Sequence, residues 1–345
     1  MRTRMVLLTV LVLAILALVA PSTLAAGKGG KGGKGGGKGG GVGGGDGVNG
    51  VIVANTSAGN QQVLSADDGA VDDEVHCGGD LAHTADAAGK RYFAFVQETN
   101  PPFGHLFANT YENALQPDCP GAWQLTDETD LPHNLDPLGP RWSPDGGRVG
   151  FIGSFLNDNV WTYELWVGEV VFVDGRPTSV SNVRSAVANP PSDTAIGLSG
   201  NPWSGDEVAY SQAPAGKSKF DIFVANVVTG EVTNVTNSQT THEAYPSFSP
   251  VADQIAFVRV DGLYVLDRAT GEETKVTTKK STKATQIIQL TWSPDGEHLA
   301  FAGESSSGAA QRSIYRIKAD GSGKAVNLTG SSSLSYSGPL WRTSP

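Results

Sequence analysis

The feature that most constrains this chain is a short unit that keeps returning along it. Pro140-Arg141-Trp142-Ser143-Pro144-Asp145-Gly146, followed by Val149-Gly150-Phe151, comes back as Leu290-Thr291-Trp292-Ser293-Pro294-Asp295-Gly296, followed by Leu299-Ala300-Phe301. Degenerate copies are Asn201-Pro202-Trp203-Ser204-Gly205-Asp206 with Val208-Ala209-Tyr210, and Pro246-Ser247-Phe248-Ser249-Pro250 with Ile255-Ala256-Phe257. A weaker copy is His83-Thr84-Ala85-Asp86 ahead of Tyr92-Phe93-Ala94-Phe95, and Pro339-Leu340-Trp341 begins one more. Ser-Pro-Asp-Gly suits a type I turn, with Pro at the second position and Gly at the fourth. The apolar stretches on either side then pair as a hairpin. A second alternating pair follows each, as in 221–236 across Thr229-Gly230 and 262–277 across Thr270-Gly271. Two hairpins per unit make a four-stranded antiparallel sheet, and sheets repeated at this spacing indicate an all-β propeller.

The N-terminal segment joins the same series. Residues 50–65 (GVIVANTSAGNQQVLS) align without a gap on 221–236 (DIFVANVVTGEVTNVT), sharing Val-Ala-Asn and a turn Gly. On that alignment the ordered chain begins on the second hairpin of a unit and ends on the first strand of one, at Trp341. Second hairpins are expected at 51–65, 105–126, 160–183, 221–236, 262–277 and 313–329. The simplest closure is six blades, one shared between N- and C-terminal strands, which removes exposed sheet edges. The shared blade is expected to lack one strand.

The motifs at Trp142-Ser143-Pro144-Asp145-Gly146, Trp292-Ser293-Pro294-Asp295-Gly296, Phe248-Ser249-Pro250 and Trp203-Ser204-Gly205-Asp206 resemble the WD40-like repeats of TolB and its relatives. The strand ends Leu125-Thr126, Val235-Thr236, Val276-Thr277 and Leu328-Thr329 add to the likeness. The resemblance covers most of 50–345 and implies a six-bladed β-propeller. It implies little about function. TolB also has a small α/β domain ahead of its propeller, for which this sequence offers only a Gly/Lys stretch, so TolB's envelope role is not carried over.

Composition and charge narrow the classes further. The 345 residues, 39% apolar and only 17% charged, are too apolar for a disordered protein. One long apolar run excludes a polytopic membrane protein. That run, in MRTRMVLLTVLVLAILALVAPSTLAA, follows a basic start and precedes small residues, so 1–26 reads as a secretory signal peptide. An uncleaved anchor is the alternative, though its fifteen apolar residues are short for a span. Residues 27–47 hold 15 Gly and 4 Lys and form a flexible tether, either a solubilising spacer or a weak contact with an anionic envelope. The propeller is expected over 48–345. That part carries 34 acids against 19 Lys and Arg, a net −15, which disfavours nucleic-acid binding.

Candidate sites are sparse. Cys77 and Cys119 are the only cysteines, and in an exported chain an isolated pair suggests one disulfide. Such a link would contribute about 4 kcal/mol in the chain-entropy picture. Two free thiols are the alternative. Asp145 and Asp295 recur because a turn wants them. Asn55, Asn234 and Asn327 open glycosylation-like triplets, two of which repeat at strand ends. The cluster Asp67, Asp68, Asp72, Asp73 and Glu74 lacks the alternating register of a calcium loop and reads as a solvated acidic connection. The six histidines show no close ligand spacing. His133, His242 and Glu243 lie just ahead of first strands, and with Asp136 and Asp193 they mark a candidate metal or sugar site at the channel mouth. The sequence holds no nucleophile elbow or phosphate loop, and a hydrolase domain after the repeats is not expected.

The reading is an exported, monomeric propeller without a cofactor that binds a protein or cell-envelope partner through loop faces and a central channel. Loops 101–120, 157–161 and 304–311 depart most from the repeat and are expected to set specificity. The alternative is a polysaccharide-active enzyme: some propellers with these repeats, such as oligogalacturonate lyases, use a His-bound metal. A third reading makes the lysine tether the functional element of a structural envelope component.

Overall fold

The computed structural model describes residues 50–342 apart from 59, 77–81, 88–89, 101–102, 128, 132–134, 158–159, 188–195, 214–217, 239, 279–283, 306–310 and 331. The expected signal peptide and tether lie outside the described residues, as do Cys77, His133 and Asp193.

The chain opens with β1 (Val51–Thr56), β2 (Gln61–Ser65) and β3 (Val71–Val75). Blade 1 follows as β4 (Ala82–Ala87), β5 (Lys90–Asn100), β6 (Phe103–Thr110) and β7 (Trp123–Gln124), with helix α1 (Tyr111–Ala114) before its last strand. Blade 2 is β8 (Asp136–Trp142), β9 (Arg148–Asn157), β10 (Val160–Val173) and β11 (Arg176–Ser185). In blade 3 the first strand is broken into β12 (Ile196–Gly197) and β13 (Trp203–Ser204), both paired with β14 (Glu207–Gln212); β15 (Asp221–Asn226) and β16 (Val232–Asn234) complete it. Blade 4 is β17 (Glu243–Phe248), β18 (Gln254–Arg259), β19 (Gly262–Asp267) and β20 (Glu273–Thr278). Blade 5 is β21 (Ala284–Trp292), β22 (His298–Ser305), β23 (Arg312–Lys318) and β24 (Val326–Asn327). The last strand, β25 (Tyr336–Arg342), joins β1, and the sixth sheet runs β25-β1-β2-β3. Six antiparallel sheets thus form a six-bladed propeller.

Closure has the expected partners but a different register. Val51 lies opposite Arg342 and Ile52 opposite Trp341, so β1 is the second strand of the shared blade and β2 the third. The gapless alignment had placed 50–65 on the second hairpin, one strand too far out. The shared blade, expected to lack a strand, has all four, the fourth being β3, built from Val71-Asp72-Asp73-Glu74-Val75. These acidic residues therefore belong to a blade's outer strand, where charge on an open edge discourages pairing with other chains.

The buried apolar residues fall into six clusters, each at one seam between blades. Blades 1 and 2 share Ala94, Leu106, Trp142 and Phe151, while blades 6 and 1 share Val51, Val53, Phe95 and Phe107. Second strands are apolar on both faces because each is sandwiched between two seams. In β18, Ile255 and Phe257 face blade 3, whereas Ala256 and Val258 face blade 5. The small residue accepts the motif aromatic of the next blade. Trp292 packs with Ala256, Phe248 with Ala209, Trp341 with Ala300 and Trp142 with Ala94. Trp203 meets Gly150, where an added Cβ would come within 3.0 Å of the indole.

Two indoles also bind the neighbouring backbone. Trp203 Nε1 donates to Arg141 O at 3.0 Å and Trp292 Nε1 to Ser247 O at 2.9 Å, each acceptor lying one residue before the preceding blade's motif aromatic. A left-handed residue sits three positions ahead of each aromatic: Gly139, Gly200, Tyr245, Gln289 and Gly338. Bulges near these positions turn each first strand so that its aromatic enters the seam. The third strands add a recurrent stacked pair, seen at Phe95–Phe107, Tyr210–Phe223, Phe257–Tyr264 and Phe301–Tyr315.

Trp203→Ala is expected to cost about 3–5 kcal/mol through the cavity it opens. Trp203→Phe keeps most packing and should cost about 1 kcal/mol, from the lost bond to Arg141 O. Urea unfolding of the two variants checks the order; equal losses would contradict it.

Candidate functional site

Antiparallel order sorts the connections onto two faces. First-to-second and third-to-fourth links lie on one face, and most are short, repeated turns. Second-to-third links and the links between blades lie on the other. These include the connections from Gln212 to Asp221, Ser185 to Ile196, Gln124 to Asp136 and Ser305 to Arg312, none of which repeats another in sequence. This variable face is where Asp136 and Glu243 begin their strands and where His242 lies.

The three candidates among the described residues, Asp136, His242 and Glu243, each have partners of their own. Asp136 Oδ1 accepts the Gly104 amide of blade 1 at 2.9 Å, so its carboxylate serves the first seam. His242 Nδ1 accepts the Phe220 amide at 3.3 Å, and its ring lies against Phe220 at 5.7 Å between centroids. Burial and then Lys219 hold the imidazole below its ordinary pKa, in the neutral form that this bond needs. Glu243 is fully buried, and its Oε1 accepts Arg259 Nε at 2.7 Å. Arg259 crosses the rings of Phe257 and Tyr264 and makes a two-pronged bond to Glu273, at 2.6 and 2.7 Å. Despite the opposing effect of burial, these two carboxylates raise the guanidinium pKa. Glu243 therefore anchors an ion triad; its partner lies sixteen positions along the chain, beyond any short motif.

The glycosylation-like triplets serve the fold. Asn55 Oδ1 accepts Gln61 Nε2 at 2.6 Å, and Asn234 Nδ2 donates to Asp221 at 2.8 Å. Of the loops expected to set specificity, 157–161 consists mainly of the ends of β9 and β10, and 101–120 contains β6 and α1; 306–310 lies outside the described residues. Two buried imidazoles, His105 and His298, keep Nδ1 atoms without a hydrogen-bond partner. No helix among the described residues is long and apolar enough to cross a membrane.

Fold and seams together define a six-bladed β-propeller, and its fold is like that of TolB proteins. TolB from Acinetobacter baumannii superposes with a TM-score of 0.59 at 17% identity, covering 85% of this chain and 66% of that one. A putative TolB from Agrobacterium tumefaciens gives 0.53 at 14% identity, covering 81% and 88%. At such identities the likeness is one of fold. In sequence, residues 215–337 match the family described as "Dipeptidyl peptidase IV (DPP IV) N-terminal region". Dipeptidyl-peptidase 5 from Porphyromonas gingivalis is 28% identical over 126 residues, which cover 29% of this chain and 18% of that protein. The match thus spans under a fifth of that relative's length.

The His242 geometry sets a pH dependence. The unfolded chain takes up a proton near the ordinary value of 6.5, whereas folded His242 resists it. Stability therefore falls as pH drops through that value and levels off below the folded pKa. His242→Gln should shrink the stability loss measured by urea unfolding between about pH 7.5 and about pH 5.5. An unchanged loss would contradict the assignment.

Proposed function

We propose that the chain is an exported binding module in which a rigid propeller offers its variable face to a protein or cell-envelope partner. The observation that carries this reading is the asymmetry of the two faces. One is largely short turns repeated from blade to blade, while the other collects long connections that differ among the blades. Repetition serves the fold, so a surface where repetition stops is free to serve recognition. The acidic surface favours a partner with basic or neutral contacts rather than a nucleic acid.

The signal-like residues 1–26 and the tether 27–47 support export and a mobile attachment. A Cys77–Cys119 disulfide fits that compartment, and no free cysteine occurs among the described residues. Alkylation of the denatured, unreduced protein should modify neither cysteine, and modification of both would remove the staple. The module acts as a monomer, with its seams closed within one chain.

Capture from envelope extract tests the function. The baits are the full mature chain, a chain without 27–47, and a chain with 214–217 and 306–310 replaced by Gly-Ser turns of equal length. A single protein retained by the first two and lost by the third, with folding unchanged, is the expected outcome. Retention that depends only on 27–47 would place the function in the lysines, and glycan capture without a protein would favour polysaccharide chemistry.

A further inference from the structure

The hairpin turns at 143–148 and 293–298 are near copies in bonding. Ser143 Oγ and Ser293 Oγ each donate to the following Asp at 2.5 Å. Each also accepts the amide five residues on, from Arg148 and from His298, at 2.9 Å. Asp145 Oδ1 accepts the Gly147 amide at 3.0 Å, as Asp295 Oδ1 accepts that of Glu297 at 2.9 Å. Serine and aspartate alone complete this turn. The two residues after the glycine are therefore free to differ, and they do: Gly147-Arg148 in blade 2, Glu297-His298 in blade 5.

Arg148 uses its position to reach Asp206 of the next blade at 2.6 Å. His298 makes no such bridge. Its ring lies against Trp341 of the closing strand, with centroids 6.2 Å apart, and the residue is only 6% exposed. Its Nδ1 is buried without a hydrogen-bond partner. One ligand-capable atom each from Asp295, Glu297 and His298 falls within 4.8 Å of the others.

The geometry points to a divalent-cation site of zinc-type chemistry at this turn, with Asp295, Glu297 and His298 as ligands and water completing the shell. One imidazole and two carboxylates suit a borderline cation better than calcium, which takes oxygen ligands throughout. Ligands about 2.0–2.1 Å from zinc lie roughly 3.3 Å apart, so the carboxylates must close inward. Both carboxylates are exposed, but Asp295 Oδ1 already accepts Ser293 Oγ and the Glu297 amide, so the movement falls mainly to Glu297, while the imidazole stays against Trp341. Two cations face the site. Arg316 is engaged by Ala66 O at 2.9 Å and by Asp67 at 3.5 Å, and Lys318 lies opposite His298 in the strand register. Their charge weakens cation binding.

The test is zinc titration of the untagged mature chain against a chromophoric chelator at about pH 7.5, where free histidine is mostly neutral. One zinc per chain is expected, weakened at least about tenfold by Glu297→Gln and by His298→Gln. Asp145→Asn, made in the twin turn, should leave zinc binding unchanged. Excess zinc should raise Tm by about 2 °C in the parent chain and not in Glu297→Gln, whose exposed side chain leaves folding intact. Absence of stoichiometric zinc, or equal zinc affinity in the parent and Glu297→Gln, would overturn the site. Calcium binding as tight as zinc and indifferent to His298→Gln would also overturn it.

Discussion

Five of the six seams in this propeller depend on one packing event: the motif aromatic of the first strand entering the seam with the preceding blade. No single four-stranded sheet has a core of its own, because its apolar side chains point out of both faces. Those faces become cores only when the next blade covers them. The aromatic needs room, which Gly150 or an alanine provides. It also needs the right angle, which the left-handed residue three positions earlier sets. Where the aromatic is tryptophan in blades 3 and 5, the indole N–H ties the blades further through a backbone carbonyl.

The same logic explains how the ring closes and what it leaves free. Trp341 of β25 meets Ala300 of blade 5 as the other aromatics meet their neighbours, and β25 then pairs with β1. Residues from both ends of the described chain are thereby held in one sheet. The turns that create the motif face the opposite way from the interblade connections, so fold-making and variable segments are largely separated in space. Ion pairs reinforce the seams, as Arg148–Asp206, Arg268–Glu207 and Arg316–Asp67 show.

Six blades and a shared closing sheet were legible because Ser-Pro-Asp-Gly turns and flanking aromatics recur with their physical reason attached. The position of 50–65 within its blade was not, since both hairpins of a unit alternate with period two and carry a turn glycine. Strand β3 was hidden by its three acids, which suit a loop as readily as an outer edge. Glu243 could be flagged as a carboxylate beside a histidine, but only the folded register brings Arg259 to it. Asp295 was absorbed correctly into its turn. The departure of Glu297 and His298 from Gly147 and Arg148 carries information only once the two turns are known to bond alike.

Hydrogen exchange of the backbone amides in β1 and β25 tests the central claim most directly. If the ring is closed by the same seam packing as elsewhere, these amides should be protected to nearly the same extent as those of β17 and β18, and all should open together. Exchange about a thousandfold faster in β1 and β25 would show frayed ends on an open arc of blades and contradict the account.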